Sequence, residues 1–455
     1  MTEAESLLWR LDADPRLRSS FVTISFLEAP PDFDRFRRRM AAAVIAAPRL
    51  QQRPASGAPW MVRPVWQRDP AFDLDFHLRR LHLPAPGSDH QLLEWAAGQH
   101  SEPMDTTRAL WQYTVVEGLE RNRAALVTRM HHALTDGLGG VRLSALFMDA
   151  SPSPTEALPL DTEHLVVTDD EDETAAPVRA LGEVLGGPLR FGRRVAGAAV
   201  STALAPQRVP AAAGDATEMG RSLLRQLVIT DRARSPLWRG RRSTARRFVV
   251  TSIDLERLRS AAHALGGTIN DAYVCILAGA AGTYHRERGA PVDELRMSMP
   301  VSTRTDRYAG GNAFAPTRVL VPTGVATPPD RFAEIVRRLA TTKAERSLGL
   351  LDPLAGLLHV LPPPVLTALA RSQADTVDFA ASNVRGAPFD LYVAGARVER
   401  NHPMGPTAGT AFNATVMSYN GRLDLGLNVD LAAVDDPEAL LRHVDEAAAE
   451  LVAFA

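Results

Sequence analysis

Residues 166–247 carry no pattern from which a core could be built, and they split the 455-residue chain into two patterned flanks. The stretch opens on an acidic run at 169–173 and continues as Ala-, Gly- and Arg-rich sequence. Between Arg179 and Arg247 there are 14 arginines against four acids (Glu183, Asp215, Glu218 and Asp231), an excess of ten positive charges in a chain whose net charge is -2. Such a segment reads as a linker with one or two helices, and a charge run is by default a solvated face. The chain therefore divides into units 1–165 and 248–455, joined by the basic crossover 166–247.

Both flanks mix helix and strand periodicities, which makes each an α/β unit. In the first, residues 36–47 read as an amphipathic helix stopped by Pro48, and 123–130 as a strand ending at a histidine pair. In the second, 253–265 reads as a helix ended by Gly266 and Gly267, and 270–284 as a mostly apolar helix. Residues 296–302 and 317–321 read as strands. Runs 411–419 and 422–430 flank Asn420-Gly421, a strong hairpin signal, and Leu423, Leu425, Leu427 and Val429 alternate as a half-buried strand requires.

Composition excludes more than it identifies. Cys275 is the single cysteine, so there is no intrachain disulfide and no cysteine-rich metal site. Near-neutrality gives no global field toward nucleic acid. Lys343 is the only lysine, leaving one Schiff-base candidate in a charged helical stretch. The N-terminus carries acids where a secretory signal carries bases, so no signal peptide is expected. No run reaches the ~18 apolar residues of a spanning helix. The nearest, 354–370, is interrupted by Pro362, Pro363 and Pro364, which are expected to end a helix there. These features point to an ordinary soluble intracellular protein.

The segment that carries chemistry is Met130-His131-His132-Ala133-Leu134-Thr135-Asp136-Gly137, between an apolar strand and an apolar helical run at 141–148. Successive strand side chains point to opposite faces, so His131 and His132 cannot both enter one cleft. One serves chemistry and the other structure. Asp136 lies in the turn, where it can fix a histidine or pair with an arginine, and Gly137 permits a positive-φ conformation. The opposed histidines and the lack of a fourth ligand argue against a metal site. The glycines at 137, 139 and 140 lack the ending of a phosphate loop.

The pattern H-H-x-x-x-D-G resembles the active-site motif of the chloramphenicol acetyltransferase-like acyltransferases, which include peptide-synthetase condensation domains. Flanking segments resemble more closely the bacterial wax ester synthase/diacylglycerol acyltransferase family. They are Pro103-Met104-Asp105-Thr106-Thr107-Arg108-Ala109-Leu110-Trp111, Ser235-Pro236-Leu237 with Arg246-Arg247-Phe248, and Thr268-Ile269-Asn270-Asp271. Met299-Pro300-Val301-Ser302 with Gly311-Asn312, Ser382-Asn383-Val384-Arg385-Gly386 and Ser418-Tyr419-Asn420-Gly421 complete the series in family order. Ala109, Trp238 and the Arg385-Gly386-Ala387 run depart from the family's usual residues, and none touches the histidine motif.

The resemblance implies an α/β (α+β) fold of two chloramphenicol acetyltransferase-like halves, each a mixed sheet with packed helices, and an active site in a tunnel between them. It implies transfer of a long-chain acyl group from acyl-CoA to diacylglycerol or a long-chain alcohol, with no cofactor and no metal. His132 is then the general base, with direct attack on the thioester and no acyl-enzyme. His131, Asp136 and Gly137 shape the loop and orient the base. Asn270 is the leading oxyanion donor, against a reading as helix N-cap, and Ser382 and Asn383 are candidates for lining the cleft. Cys275, in an apolar helical run, reads as core. The basic crossover can dock on anionic lipid, contact CoA phosphates or be solvated, so the expected location is cytoplasmic, peripheral at the inner membrane face or on lipid inclusions. The alternatives are a condensation-domain-like enzyme with another acceptor or a carrier-protein thioester, and a catalytically silent lipid-binding relative.

Overall fold

Alternation dictates the first visible element of the fold. Leu423, Leu425, Leu427 and Val429 are almost fully buried on one strand, and the preceding Asn420 and Gly421 both take positive φ (39° and 76°), the geometry of a tight hairpin turn. The computed structural model describes residues 1–55, 63–153, 234–302, 314–325, 327–346 and 362–455. The acidic run, most of the Arg-rich crossover, Gly311-Asn312 and the first part of the 354–370 run lie outside the described residues, as does the 165/166 boundary.

The strands, in chain order, are β1 (Ser20–Leu27), β2 (Gln52–Ala55), β3 (Val65–Arg68), β4 (Leu78–His82), β5 (Trp111–Leu119), β6 (Arg123–His131) and β7 (Arg246–Asp254). They continue as β8 (Glu294–Ser302), β9 (Phe314–Pro322), β10 (Phe379–Arg385), β11 (Tyr392–Val393), β12 (Ala396–Met404), β13 (Phe412–Tyr419) and β14 (Arg422–Asp430). The helices are α1 (Glu3–Leu11), α2 (Phe33–Ala46), α3 (Leu74–His77), α4 (Asp89–Ser101), α5 (Gly137–Ser144), α6 (Leu255–Ala264), α7 (Ile269–Glu287), α8 (Pro328–Arg346), α9 (Pro363–Ala374) and α10 (Pro437–Val452).

Two mixed six-stranded sheets result. The first has the order β11-β12-β1-β6-β5-β4 and the second β7-β14-β13-β10-β8-β9, with β2 and β3 forming a separate pair. In the first only β4 and β5 run parallel, and in the second β10 runs parallel to both β13 and β8. Each sheet has its own core: one around Phe36, Trp111, Tyr113 and Phe147, the other around Trp238, Tyr273, Tyr284, Phe379 and Phe412. A third cluster, with Val22, Ile24 and Phe26 of β1, Phe248 of β7 and Met404 of β12, joins the two halves. Trp238 is fully buried with its ring edge-on to Phe412, so that departure from the usual sequence is a core residue.

Two details differ from the sequence reading. Strands β11 and β12 come from the C-terminal flank but pair beside β1 in the first sheet, so sheet membership does not follow the division at 248. The polar residues of β12 are satisfied across the junction: Asn401 receives the Ser25 hydroxyl at 3.0 Å and donates its backbone N–H to Asp424 at 2.7 Å. Residues 253 and 254 finish β7, and Asp254 caps α6, which starts two residues later than its apolar pattern suggests. Pro363 starts α9, where its missing N–H costs nothing in a first turn, and the residues before Pro362 lie outside the described residues. Among the described residues no single helix is long and apolar enough to cross a membrane.

Candidate active site

Strand β6 delivers the histidine pair to the edge of the first half. His131 is its last residue, opposite Ser20 of β1, and is fully buried. Its Nε2 lies 3.1 Å from Asp12 Oδ1, its Nδ1 accepts the Ala133 N–H at 3.0 Å, and the Trp9 ring stands edge-on to it. His132 turns elsewhere. Its N–H donates to the Ser19 carbonyl at 2.9 Å, and its ring packs against Phe21 with centroids 4.7 Å apart. The opposed environments expected of adjacent strand residues are therefore present: His131 is locked among polar partners, and His132 is half-buried against an aromatic wall.

Burial, reinforced by His131, lowers the His132 imidazole from 6.5 to about 4, against the opposing pull of Asp136 and a hydrogen bond with the Thr135 backbone. At neutral pH it is an uncharged imidazole, which retains a lone pair for a proton.

Asp136 is the N-cap of α5. Its Oδ1 accepts the Gly139 N–H at 2.8 Å, which satisfies one of the donors a helix start leaves open. Gly137 is the first residue of that helix and is not among the positive-φ glycines, so the turn reading is corrected. Its role is close approach: a Cβ there would stand 3.0 Å from Val384 Cγ2 of β10. Gly139 is tighter still, since a Cβ would stand 2.0 Å from Thr135 Oγ1. The motif helix is thus pressed onto a strand of the other half.

Strand alternation divides the remaining candidates. Phe379 and Ala381 belong to the C-terminal core, and Asn383 continues their face of β10. Ser382 shares the opposite face with Val384, toward the motif helix. Asn383 donates to Asn270 Oδ1 at 3.5 Å, and Asn270 Nδ2 lies 3.9 Å from Met299 Sδ. Asn270 is not the N-cap of α7. Thr268 is, in a capping box with Asp271, whose carboxylate accepts the Thr268 N–H at 2.8 Å. Strands β8 and β10 pair only at Met297–Ser298 and Phe379–Ala380, then separate, and Asn270, Asn383 and Met299 flank the opening. The structure brings Asn270 and Asn383 together and sets Ser382 on the other face. Asp12 and Phe21 carry no motif of their own, and sequence reasoning missed them; Val384 lies within the Ser382–Gly386 segment but was not read as a site residue.

Cys275 is buried within α7, and its thiol is pushed up by burial despite the nearby Arg331, which makes it a core residue. Among the described residues no group of three or more His, Cys, Asp or Glu could hold a metal ion.

Two mixed sheets thus meet at a histidine loop. The wax ester synthase/diacylglycerol acyltransferase catalytic domain matches residues 12–273, and the C-terminal domain of the same family matches 310–452. The chain belongs to that family. It is 33% identical over 456 residues to a Mycobacterium tuberculosis protein named as a diacylglycerol O-acyltransferase, covering 99% of this chain and 91% of the relative. A second M. tuberculosis protein of that name is 30% identical over 458 residues, covering 94% and 93%. Among solved structures, the wax ester synthase/diacylglycerol acyltransferase of Marinobacter aquaeolei VT8 superposes with a TM-score of 0.66 at 23% identity, covering 99% of this chain and 98% of that one. The starter condensation domain of rhizomide synthetase, described with C8-CoA and Leu-SNAC, shares the fold at a TM-score of 0.56 and 14% identity, covering 99% and 93%.

Proposed function

We propose that the protein transfers a long-chain acyl group from acyl-CoA to the hydroxyl of diacylglycerol or of a long-chain alcohol, in a tunnel between the halves, with His132 as general base. The observation that carries this is an uncharged, half-buried His132 at a strand end, beside the contact between the motif helix and β10. The acceptor oxygen bonds to the thioester carbonyl carbon while its proton passes to His132. The tetrahedral oxyanion collapses, the C–S bond breaks, and the imidazolium returns the proton to the departing CoA sulfur. No cofactor is required, because the thioester is already activated.

The oxyanion needs donors during this step. Asn270 and Asn383 supply amide N–H groups at the opening between β8 and β10, and Ser382 is assigned to the cleft wall on the motif side. Asp136 favours the charged imidazole as the proton arrives. Because both products are water-insoluble, the Arg-rich crossover is assigned to docking at an anionic lipid surface on the cytoplasmic side. Flotation on vesicles with and without anionic lipid, at two salt concentrations, tests that role, and binding indifferent to both overturns it.

The central experiment combines purified protein with labelled long-chain acyl-CoA and a panel of diacylglycerol, fatty alcohol, short alcohol and amine, resolved by thin-layer chromatography. Neutral-lipid products are expected, with a loss on the order of 10²–10⁴ in His132→Ala. A folded, fully active His132→Ala enzyme refutes the base assignment, and absence of product with every acceptor refutes the activity.

A further inference from the structure

We propose that Asp12, at the end of the N-terminal helix, is a positioning residue that fixes both peptide groups flanking His132, which makes α1 part of the active site. The inference rests on reading His132 as the base. A ring nitrogen that accepts a hydrogen bond carries no proton. Because His131 Nδ1 accepts the Ala133 N–H at 3.0 Å, a neutral His131 has its hydrogen on Nε2, which faces Asp12 Oδ1 at 3.1 Å. The same Asp12 oxygen accepts the Ser19 N–H at 2.9 Å, and the Ser19 carbonyl accepts the His132 N–H at 2.9 Å. One carboxylate oxygen therefore begins two chains of polar contacts, a hydrogen bond from the Ser19 N–H in one and a 3.1 Å approach to His131 Nε2 in the other. One ends on the amide before the His132 α-carbon and the other on the amide after it.

Asp12 is itself held. It is the C-cap of α1, its N–H donates to the Trp9 carbonyl at 3.3 Å, and Trp9 packs edge-on against His131. The helix start is fixed by a capping box between Thr2 and Glu5, and Glu5 also receives the Trp66 indole N–H at 3.1 Å. Two residues beyond Asp12, Asp14 pairs with Arg371 of α9, so the strap is anchored to the C-terminal flank as well. Burial raises the Asp12 carboxyl, but His131, the Ser19 N–H and Arg18 outweigh it and keep the group ionised.

The test is a mutant cycle in kcat, with melting temperature and acyl-CoA KM measured for every variant. Asp12→Ala removes both chains and is expected to lower kcat about tenfold, the scale of one charge-assisted hydrogen bond, with KM changed by less than about twofold. Asp12→Asn keeps an oxygen that accepts from both partners and is expected to recover most of the rate. His131→Asn keeps an acceptor near Nδ1 but cannot reach Asp12, so the Asp12→Ala loss is expected to shrink in that background. Full additivity, an unchanged kcat in Asp12→Ala, or failure of Asp12→Asn to recover activity each overturns the proposal. Should Asp12→Ala fail to fold, Asp12→Glu takes its place, since it keeps the charge but displaces the oxygen. Full activity in His132→Ala overturns the base reading and this proposal together. An inactive His132→Ala with additive Asp12 losses overturns the proposal alone.

Discussion

Lowering the pH from 7 to 5 should destabilise this protein well before its carboxylates protonate, because burial holds several histidines, four of them strongly, in uncharged form. His77 stacks on Trp111 and hydrogen-bonds its carbonyl at 2.7 Å, and burial lowers it to about 4. His100 lies against the Ser20 carbonyl at 3.1 Å, and burial, with Arg246 and Arg129 nearby, lowers it to about 3. His402 meets the Leu425 carbonyl at 3.0 Å and is lowered to about 4 by burial, although Asp424 opposes the shift. His132 is the fourth. On His77, His100 and His402 the second ring nitrogen has no partner, so a second proton would be buried unsatisfied.

The sign follows from linkage. Below about 6.5 the unfolded chain binds protons that the native state refuses until about 4, so stability present above 6.5 is lost as the pH falls between these values. Each histidine costs about 2 kcal/mol between pH 7 and pH 5, and the four together on the order of 7 kcal/mol, comparable to the whole stability of many proteins. Urea unfolding followed by tryptophan emission reports both halves, since Trp111 and Trp238 sit in the two cores. His402→Gln should reduce the loss between pH 7 and 5 by about 2 kcal/mol, whatever its effect at pH 7. Equal unfolding free energies at pH 7 and 5 would refute the reasoning. A further consequence is that activity should fail by unfolding on the acid side, before His132 itself titrates.

Other outcomes follow from the motif helix. Asp136→Ala should cost about 1 kcal/mol as a lost N-cap, whereas Asp136→Asn should keep the stability and still lose rate, since it removes the charge that favours the His132 imidazolium; denaturant melts beside kcat separate the two. Gly139→Ala drives a methyl into Thr135 Oγ1 and the cap, so activity should fall at least about tenfold, and a variant as active as the parent would show that the loop adjusts. Cys275→Ala should retain activity, and the native thiol should resist Ellman's reagent until the protein is unfolded.

How far the sequence announced this arrangement differs from residue to residue. The β13–β14 hairpin was legible because its apolar residues alternate and the turn residues tolerate positive φ, although β14 is buried on both faces, Asp424, Asn428 and Asp430 included, and not half-buried as read. Strand β12 was not, since Asn401 and His402 obscure its alternation and find their partners in Ser25, Met417, Asp424 and Leu425 elsewhere in the chain. The chemistry-bearing segment was read as a strand end followed by a helical run at 141–148, but the helix runs from Gly137 to Ser144 and the glycine was read by local rules. Asp-Gly suggests a positive-φ turn, and only tertiary contact with Val384 makes Gly137 a residue of close approach. Asn270 was ambiguous for a similar reason. Thr268, Asn270 and Asp271 are all cap formers, and the reciprocal bonds between Thr268 and Asp271 are what release the Asn270 side chain.

Those corrections share a physical basis. Besides its internal bonds, the motif loop is fixed by groups outside it: Asp12 and Ser19 lie against its peptide groups, Phe21 faces the imidazole, and Val384 limits the approach of α5. Val384 belongs to the second sheet, while β12, from the same flank, completes the first sheet beside β1. The N-terminal half alone would leave β1 as an open edge and α5 without its opposing strand. The base is therefore set only when both flanks are folded and docked, and a lone H-H-x-x-x-D-G segment specifies the groups of the site without the contacts that orient them.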